Sequence, residues 1–178
     1  MKEKYIKAHM KAASVYAELS TAQRLQVGCV IVKDNTIIGI GYNGMPSGWE
    51  NDCEISEYVL KEECHYTDEW LIENGFTETV HGWIRLKSKP EVLHAETNAI
   101  AKVSRSTNSS DGASLFVTHA PCLDCAKIIH QAGIKEVYYQ ETYRTQAGIE
   151  FLKRCGIKVQ QVMRMKLSVM IMVTLYYT

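Results

Sequence analysis

His94-Ala95-Glu96 and Pro121-Cys122-Leu123-Asp124-Cys125 are the two segments that say most about this 178-residue chain. Together they offer one imidazole, two thiols and a carboxylate that is not needed as a ligand. Structural zinc sites use four protein ligands, whereas catalytic sites use three and keep one position open. The segments therefore predict a catalytic zinc site with the ligands His94, Cys122 and Cys125. Neither segment is decisive alone, because a C-x-x-C pair can also be a redox pair, half of a structural zinc site or two reduced core cysteines.

The composition is that of an ordinary globular domain, with 46% hydrophobic and 22% charged residues. Twenty basic and twenty acidic residues balance to zero net charge, which provides no electrostatic attraction for a polynucleotide. We therefore expect no nucleic-acid partner. The charged segment 1–11 does not resemble a signal peptide, so we expect a cytoplasmic location, which for a phage protein is the host cytoplasm, with reduced or metal-bound cysteines.

Hydrophobic periodicity predicts one domain over 1–178 that alternates helices and strands after an initial helix and hairpin. The predicted elements are a helix over 5–19, strands over 27–32 and 36–40, a helix over 95–103, a strand over 114–118, a helix over 122–131, a strand over 136–140, a helix over 145–155 and a strand over 157–162. This order implies an α/β fold with a mixed sheet and helices on both faces.

Two parts of the chain do not follow this alternation. Residues 49–90 show no clean period, and we predict an insertion with one helix near 54–63. A tail at about 163–178 contains the apolar run 167–177, which is shorter than the ~20 residues needed to span a bilayer. We expect no membrane partner and interpret the run as a strand or a segment that packs, for instance against another subunit.

The predicted elements bring the two motifs together. His94 begins one predicted helix, and the cysteines begin another. A spacing of three puts both sulfurs on the same side of that helix, and the free amides and dipole of a helix N-terminus favour thiolates. The fourth position of the zinc is left for water, whose pKa falls to ~7 on the metal. Glu96 can reach that water as a general base and then return protons as a general acid.

Three segments resemble the deoxycytidylate (dCMP) deaminases of phages and eukaryotes, within the cytidine deaminase superfamily. They are 94–100 (HAETNAI), 41–48 (GYNGMPSG) and 121–127 (PCLDCAK), with 133–139 also similar. The loop 41–48 separates this family from other members of the superfamily. The resemblance spans about residues 20–160. It implies a cytidine-deaminase-like three-layer α/β/α fold with a mixed five-stranded sheet.

The resemblance also implies hydrolytic conversion of dCMP to dUMP with release of ammonia, supplying dUMP for thymidylate synthesis. It implies activation by dCTP with Mg²⁺, inhibition by dTTP and a homo-oligomer, either a hexamer or a trimer. The zinc ligands carry over to His94, Cys122 and Cys125, and the proton shuttle carries over to Glu96.

Other residues are candidates for contacts to the substrate or to an effector. Asn43 is the expected contact to the deoxyribose hydroxyl, although an Asn-Gly pair is also common in turns. Ala95, Tyr143 and Arg144 are expected to bind substrate, and Arg suits phosphate, although the last two can also be ordinary loop residues. The residues assigned to the allosteric site or an interface are Gly41, Tyr42, Gly44 and Arg105. Arg105 can equally be a cation that complements the end of a helix.

Two alternatives share the zinc motif. One is a deaminase of tRNA, of a free base or of a nucleoside, and the other is a non-catalytic module stabilised by zinc. Some family members also carry a second, structural zinc, but Gln23 and Arg24 stand where one of its cysteines is expected. The residues that could still assemble such a site, without any tight spacing, are Cys53, Cys64, His65 and His81. Free cysteines are commonly buried, so we favour reduced, partly buried thiols at these positions.

Overall fold

A computed structural model describes residues 1–163 of the chain. Its strands are β1 (Gly28–Lys33), β2 (Thr36–Tyr42), β3 (Glu54–Leu60), β4 (Thr77–Thr79), β5 (Gly82–Ser88), β6 (Ser114–His119), β7 (Glu136–Glu141) and β8 (Lys158–Gln161). Its α-helices are α1 (Glu3–Ala17), α2 (Asp68–Glu73), α3 (Ala95–Ser104), α4 (Leu123–Gln131) and α5 (Ala147–Arg154). The apolar run predicted at 167–177 lies outside the described residues.

The main sheet has five strands in the order β2-β1-β6-β7-β8. Strand β1 is antiparallel to both of its neighbours, whereas β7 runs parallel to β6 and β8, so the sheet is mixed as predicted. The β1–β2 hairpin turns at Asp34 and Asn35, which both have left-handed backbones with φ of 49° and 63°. Asn and Asp tolerate this conformation, which matches the twist of a two-residue hairpin.

Alternating side chains of the sheet build two cores. Val30, Phe116 and Tyr138 point to one face, where Met10 and Ala13 of α1 cover them. The opposite face carries residues such as Ile31, Leu115 and Val137, and it is covered by α3, α4 and α5. Because side chains alternate along a strand, one sheet can support a helix layer on each side. The three-layer α/β/α architecture predicted from the sequence is confirmed.

The insertion differs from its prediction. The helix expected near 54–63 is wrong: Glu54–Leu60 is strand β3, and only Lys61–Glu63 forms a 3₁₀ turn. Strands β3, β5 and β4 form a separate antiparallel sheet, whose small core of Leu71, Phe76 and Trp83 is completed by α2. Strand β3 exists because β5 pairs with it along its whole length, and that partner lies more than twenty residues later.

No helix within residues 1–163 is long and apolar enough to cross a bilayer.

Candidate metal centre and active-site cavity

Three side chains converge where α3 and α4 begin. His94 is the N-cap of α3, and Cys122 is the N-cap of α4, one position before the first helical residue. His94 Nδ1 lies 3.2 Å from Cys125 Sγ and 3.6 Å from Cys122 Sγ. The possible ligand atoms of these three side chains all lie within 4.8 Å of one another. Within residues 1–163 no other group of three or more His, Cys, Asp or Glu side chains does so.

The spacing of these atoms fits a tetrahedral zinc ion. Zn–N and Zn–S bonds of about 2.0 and 2.3 Å at tetrahedral angles separate nitrogen from sulfur by roughly 3.5 Å. The two His94–sulfur distances lie close to that value. One imidazole and two sulfurs leave a fourth position open. His94, Cys122 and Cys125 therefore fit a zinc ion that keeps one place for a non-protein ligand.

The three groups also influence each other's protonation. Hydrogen bonds from the Cys125 thiol and from His94 lower the pKa of Cys122 to about 4. The Cys125 pKa rises, first because its thiol donates to Cys122 and second because it is buried. The hydrogen bond to Cys122 raises the pKa of His94. The lowered pKa of Cys122 favours its thiolate, which is the form of cysteine that binds metal.

Close backbone packing holds the start of α4 in place. A Cβ on Gly148 of α5 would lie 2.0 Å from the carbonyl oxygen of Pro121 and 2.8 Å from that of Cys122. Only glycine leaves room for this approach. Helix α5 therefore supports the segment that carries both cysteines.

Glu96 lies in the first turn of α3, two residues after His94. Its side chain is only 4% exposed, and burial raises the pKa of its carboxyl group, while His94 opposes the rise. A raised pKa makes a carboxyl group a better base and so favours the acceptance and return of a proton during catalysis. This environment suits the proton shuttle expected of Glu96.

A cavity of about 580 Å³ opens onto His94, Glu96 and Cys122. Every residue that the sequence predicted to bind substrate also lines it, namely Asn43, Ala95, Tyr143 and Arg144. Pockets of a few hundred cubic ångströms are typical for small-molecule ligands. The cavity is therefore large enough for a mononucleotide with one end against the metal centre.

The family model for the cytidine and deoxycytidylate deaminase zinc-binding region matches residues 3–141. The chain belongs to this family. The resemblance recognised in the sequence is thereby confirmed.

Deoxycytidylate deaminases are among the most similar proteins. The enzyme of Enterobacteria phage T4 is 33% identical over 178 residues, which covers 89% of this chain and 90% of that protein. The human enzyme is 37% identical over 131 residues, which covers 73% of this chain and 61% of that protein. The crystal structure of dCMP deaminase from cyanophage S-TIM5 in complex with dCMP and dUMP is 36% identical, with a TM-score of 0.71, and the match covers 91% of this chain and 99% of that one.

Asn43 has a structural task in this member of the deaminase family. Its side-chain oxygen accepts the Val27 N–H at 2.7 Å, and its amide nitrogen donates to the Leu25 carbonyl at 2.8 Å. The amide thus ties the loop after β2 to the segment before β1. Asn43 also lines the cavity, and its amide retains one further hydrogen and one further oxygen lone pair for hydrogen bonding.

The four residues assigned to the allosteric site or an interface do not line the cavity. Gly44 exchanges two backbone hydrogen bonds with Leu93, and the Tyr42 carbonyl accepts from Asn98 at 3.0 Å. Gly41 packs against α3. Arg105 is the C-cap of α3, about 16 Å along the helix from His94. Their regulatory role stays a prediction.

Sequence reasoning missed several residues that line the cavity, among them Arg24, Ser88, Lys89 and His119. His119 ends β6, three residues before Cys122, and burial lowers its pKa, which favours the neutral imidazole. Its nearness to the cysteine motif was a usable signal. Ser88 and Lys89 come from the insertion, which nothing local in the sequence connects to the metal centre.

The second zinc site considered for this family does not assemble in the described residues. Cys53, Cys64, His65 and His81 form no metal-binding group within residues 1–163. Cys53 is buried beside Thr21, with Sγ and Oγ1 3.4 Å apart, and all six cysteines are free.

Proposed function

We propose that this protein is a zinc-dependent hydrolase that converts dCMP to dUMP and ammonia. The observation that carries the proposal is the buried carboxyl of Glu96 beside the His94–Cys122–Cys125 group, at one cavity that also presents cationic side chains. Relatives from phages and human that are named deoxycytidylate deaminases support the choice of substrate. The crystal structure of the cyanophage enzyme with dCMP and dUMP supports it further.

The chain's own residues supply the proton transfers. A zinc ion held by His94, Cys122 and Cys125 would supply Lewis acidity, which makes water nucleophilic near neutral pH. Glu96 accepts the proton that water loses as its oxygen bonds to the ring carbon bearing the amine. Glu96 delivers this proton to the ring nitrogen, and it then transfers the remaining proton of the newly bonded hydroxyl group to the amine. The carbon–nitrogen bond breaks, ammonia leaves and a carbonyl remains.

The cavity also suits the 5′-phosphate. Arg24, Lys89 and Arg144 line it, and a guanidinium group binds phosphate with two parallel hydrogen bonds. Tyr143 offers a ring on which a base or sugar can pack. The zero net charge of the chain disfavours a polymeric substrate, which needs extended basic contacts to its backbone.

The test is ammonia release from dCMP, cytidine, deoxycytidine and an RNA oligonucleotide by the zinc-loaded protein. We expect turnover of dCMP alone. Arg144→Gln should raise the KM for dCMP with little change in kcat, because it removes a contact that substrate and transition state share. Turnover of RNA or of the nucleosides in preference to dCMP would support the alternative deaminases. A zinc-loaded protein without turnover of any of them would support the non-catalytic module.

We further propose the regulation that the resemblance implies: activation by dCTP with Mg²⁺ and inhibition by dTTP in a homo-oligomer, a hexamer or a trimer. Gly41, Tyr42, Gly44 and Arg105 lie outside the cavity, as a separate effector site requires. Saturation curves for dCMP with each nucleotide test this idea, and identical curves would end it. A cytoplasmic location suits the thiolate ligands, which need a reducing compartment.

A further inference from the structure

The first residue pair between β3 and β5 in the insertion contains a buried acidic residue. Glu54 of β3 pairs with Ser88 of β5, and the Glu54 side chain is only 4% exposed. Its carboxylate accepts the backbone N–H of Gln23 at 3.2 Å and that of Arg24 at 3.3 Å. A carboxylate has only acceptor sites, so two converging N–H donors suit it. The insertion thereby holds the main chain at position 24.

Ser88, the partner of Glu54 across the two strands, holds the side chain of Arg24. The guanidinium Nη1 donates to Ser88 Oγ at 3.1 Å. Backbone and guanidinium of one arginine are thus attached to two residues that face each other across one pair of strands. The insertion is joined to this segment at a further point, where Thr21 Oγ1 donates to the Asn51 carbonyl at 2.8 Å.

This arrangement concerns the cavity because Arg24 and Ser88 both line it, together with Lys89, which follows Ser88 directly. Arg24 is otherwise an exposed side chain with many accessible rotamers. Holding such a side chain in one orientation before binding reduces the ordering entropy that a ligand must overcome. The Glu54–Ser88 pair therefore orients Arg24 at the place in the cavity where an anionic group of a ligand would bind.

We propose that Glu54 and Ser88 are positioning residues that hold Arg24 ready for the phosphate of the substrate, which makes the insertion over residues 49–90 part of substrate recognition. The inference rests on the proposed function for the identity of the substrate. It adds that recognition of the phosphate depends on a carboxylate that does not touch it.

The experiment compares wild type with Glu54→Gln, Ser88→Ala and the control Glu57→Gln. Glu57 lies in the same strand but pairs with Arg85 and Lys87 away from the cavity. The affinity for dUMP is measured by calorimetry, and KM and kcat are measured with dCMP. Deoxyuridine, which lacks the phosphate, is the control ligand, and the thermal midpoint of each variant reports on folding.

Glu54→Gln presents an amide NH₂ to one of the two backbone donors, and we expect dUMP affinity to fall about tenfold, which is the effect of one lost hydrogen bond to a charged group. Ser88→Ala should weaken it about threefold without affecting folding, since it removes one exposed hydrogen bond. In both variants the KM for dCMP should rise by a similar factor, while kcat is retained. Their affinity for deoxyuridine should stay unchanged. The control Glu57→Gln should leave dUMP affinity, KM and kcat unchanged.

An Arg24→Gln background distinguishes positioning from general damage. If Glu54 and Ser88 act through Arg24, neither substitution has a further effect on dUMP affinity once Arg24 is gone. Full additivity in that background would overturn the inference, as would unchanged dUMP affinity in both single variants. A wild-type protein that binds dUMP in this manner but releases no ammonia from dCMP would refute the proposed function and leave this inference standing. Failure of the wild type to bind dUMP would refute both.

Discussion

A methyl group on Gly41 would lie 2.1 Å from the carbonyl oxygen of Ala95, so β2 and α3 meet here backbone to backbone. Ala95 stands between the candidate ligand His94 and the candidate proton shuttle Glu96. The position of both functional side chains therefore depends on the absence of a side chain in a neighbouring strand. This contact gives Gly41 a definite structural role.

Gly41→Ala should displace the start of α3 and weaken metal binding. Overpacking of this kind destabilises the folded state by about 2 kcal/mol. We expect a lower thermal midpoint and a lower zinc affinity, measured by competition with a chromogenic chelator. Gly44→Ala is the matched control, because a Cβ at position 44 meets no atom within 4 Å and the backbone there is not left-handed. Equal zinc affinity in the two variants would contradict the explanation.

Removal of a candidate ligand should remove the metal. Cys122→Ala deletes the thiolate with the lowered pKa, and we expect zinc content, measured by elemental analysis, to fall from one ion per chain to near zero. Cys155→Ala changes a partly buried cysteine just after α5, outside the metal centre, and should keep the full zinc content. Strong chelators should abolish turnover in the unmodified protein, and added zinc should restore it.

Glu96→Gln should separate metal binding from catalysis. The amide preserves the shape of the buried side chain but cannot shuttle protons, and general acid–base catalysis typically contributes a factor of about 10²–10⁴. We expect kcat for dCMP to fall by at least that factor, while zinc content and dUMP affinity stay unchanged. Asp124→Asn, which alters an exposed acid paired with Lys127, is the control for a charge change near the cysteines. Substantial turnover by Glu96→Gln would remove Glu96 from the mechanism.

Glu136 should make stability depend on pH in the acid range. Partial burial alone would raise its pKa, but hydrogen bonds from Lys158, Tyr138 and Ser114 outweigh burial and lower the pKa from its ordinary 4.5. A depressed folded-state pKa adds stability above pH 4.5, and that contribution is lost as pH falls through the folded value.

Glu136→Gln should therefore lower the free energy of unfolding at pH 7, by less than about 1 kcal/mol because the site is partly exposed. The difference from wild type should shrink below pH 4.5, as measured by urea unfolding over a pH series. Glu150→Gln, which changes an exposed residue of α5, is the control. A difference that stays constant down to pH 2 would exclude titration of Glu136 as the cause.

The predictability of each part followed from the range of its interactions. The Asp34-Asn35 hairpin and the alternating elements after His94 were predictable because turn chemistry and periodicity act over a few residues. Strand β3 was not, because its ladder partner β5 is distant in sequence and Ile55, Tyr58 and Val59 suit more than one local pattern. Ser88 escaped prediction for the same reason, since only the β3–β5 register brings it to Arg24.

The amino-acid sequence alone determined the kind of chemistry. His94, Cys122, Cys125 and Glu96 belong to two short motifs, and helical geometry translates their spacing directly into a ligand set with a carboxyl group beside it. Tertiary structure alone decided which other residues line the cavity around the ligand set and Glu96. Arg24, Ser88 and Lys89 reach the cavity, and Glu54 is buried behind them, because an inserted sheet packs against the segment before β1. Contacts between distant parts of a chain depend on how whole elements pack, and no local pattern of residues encodes that packing.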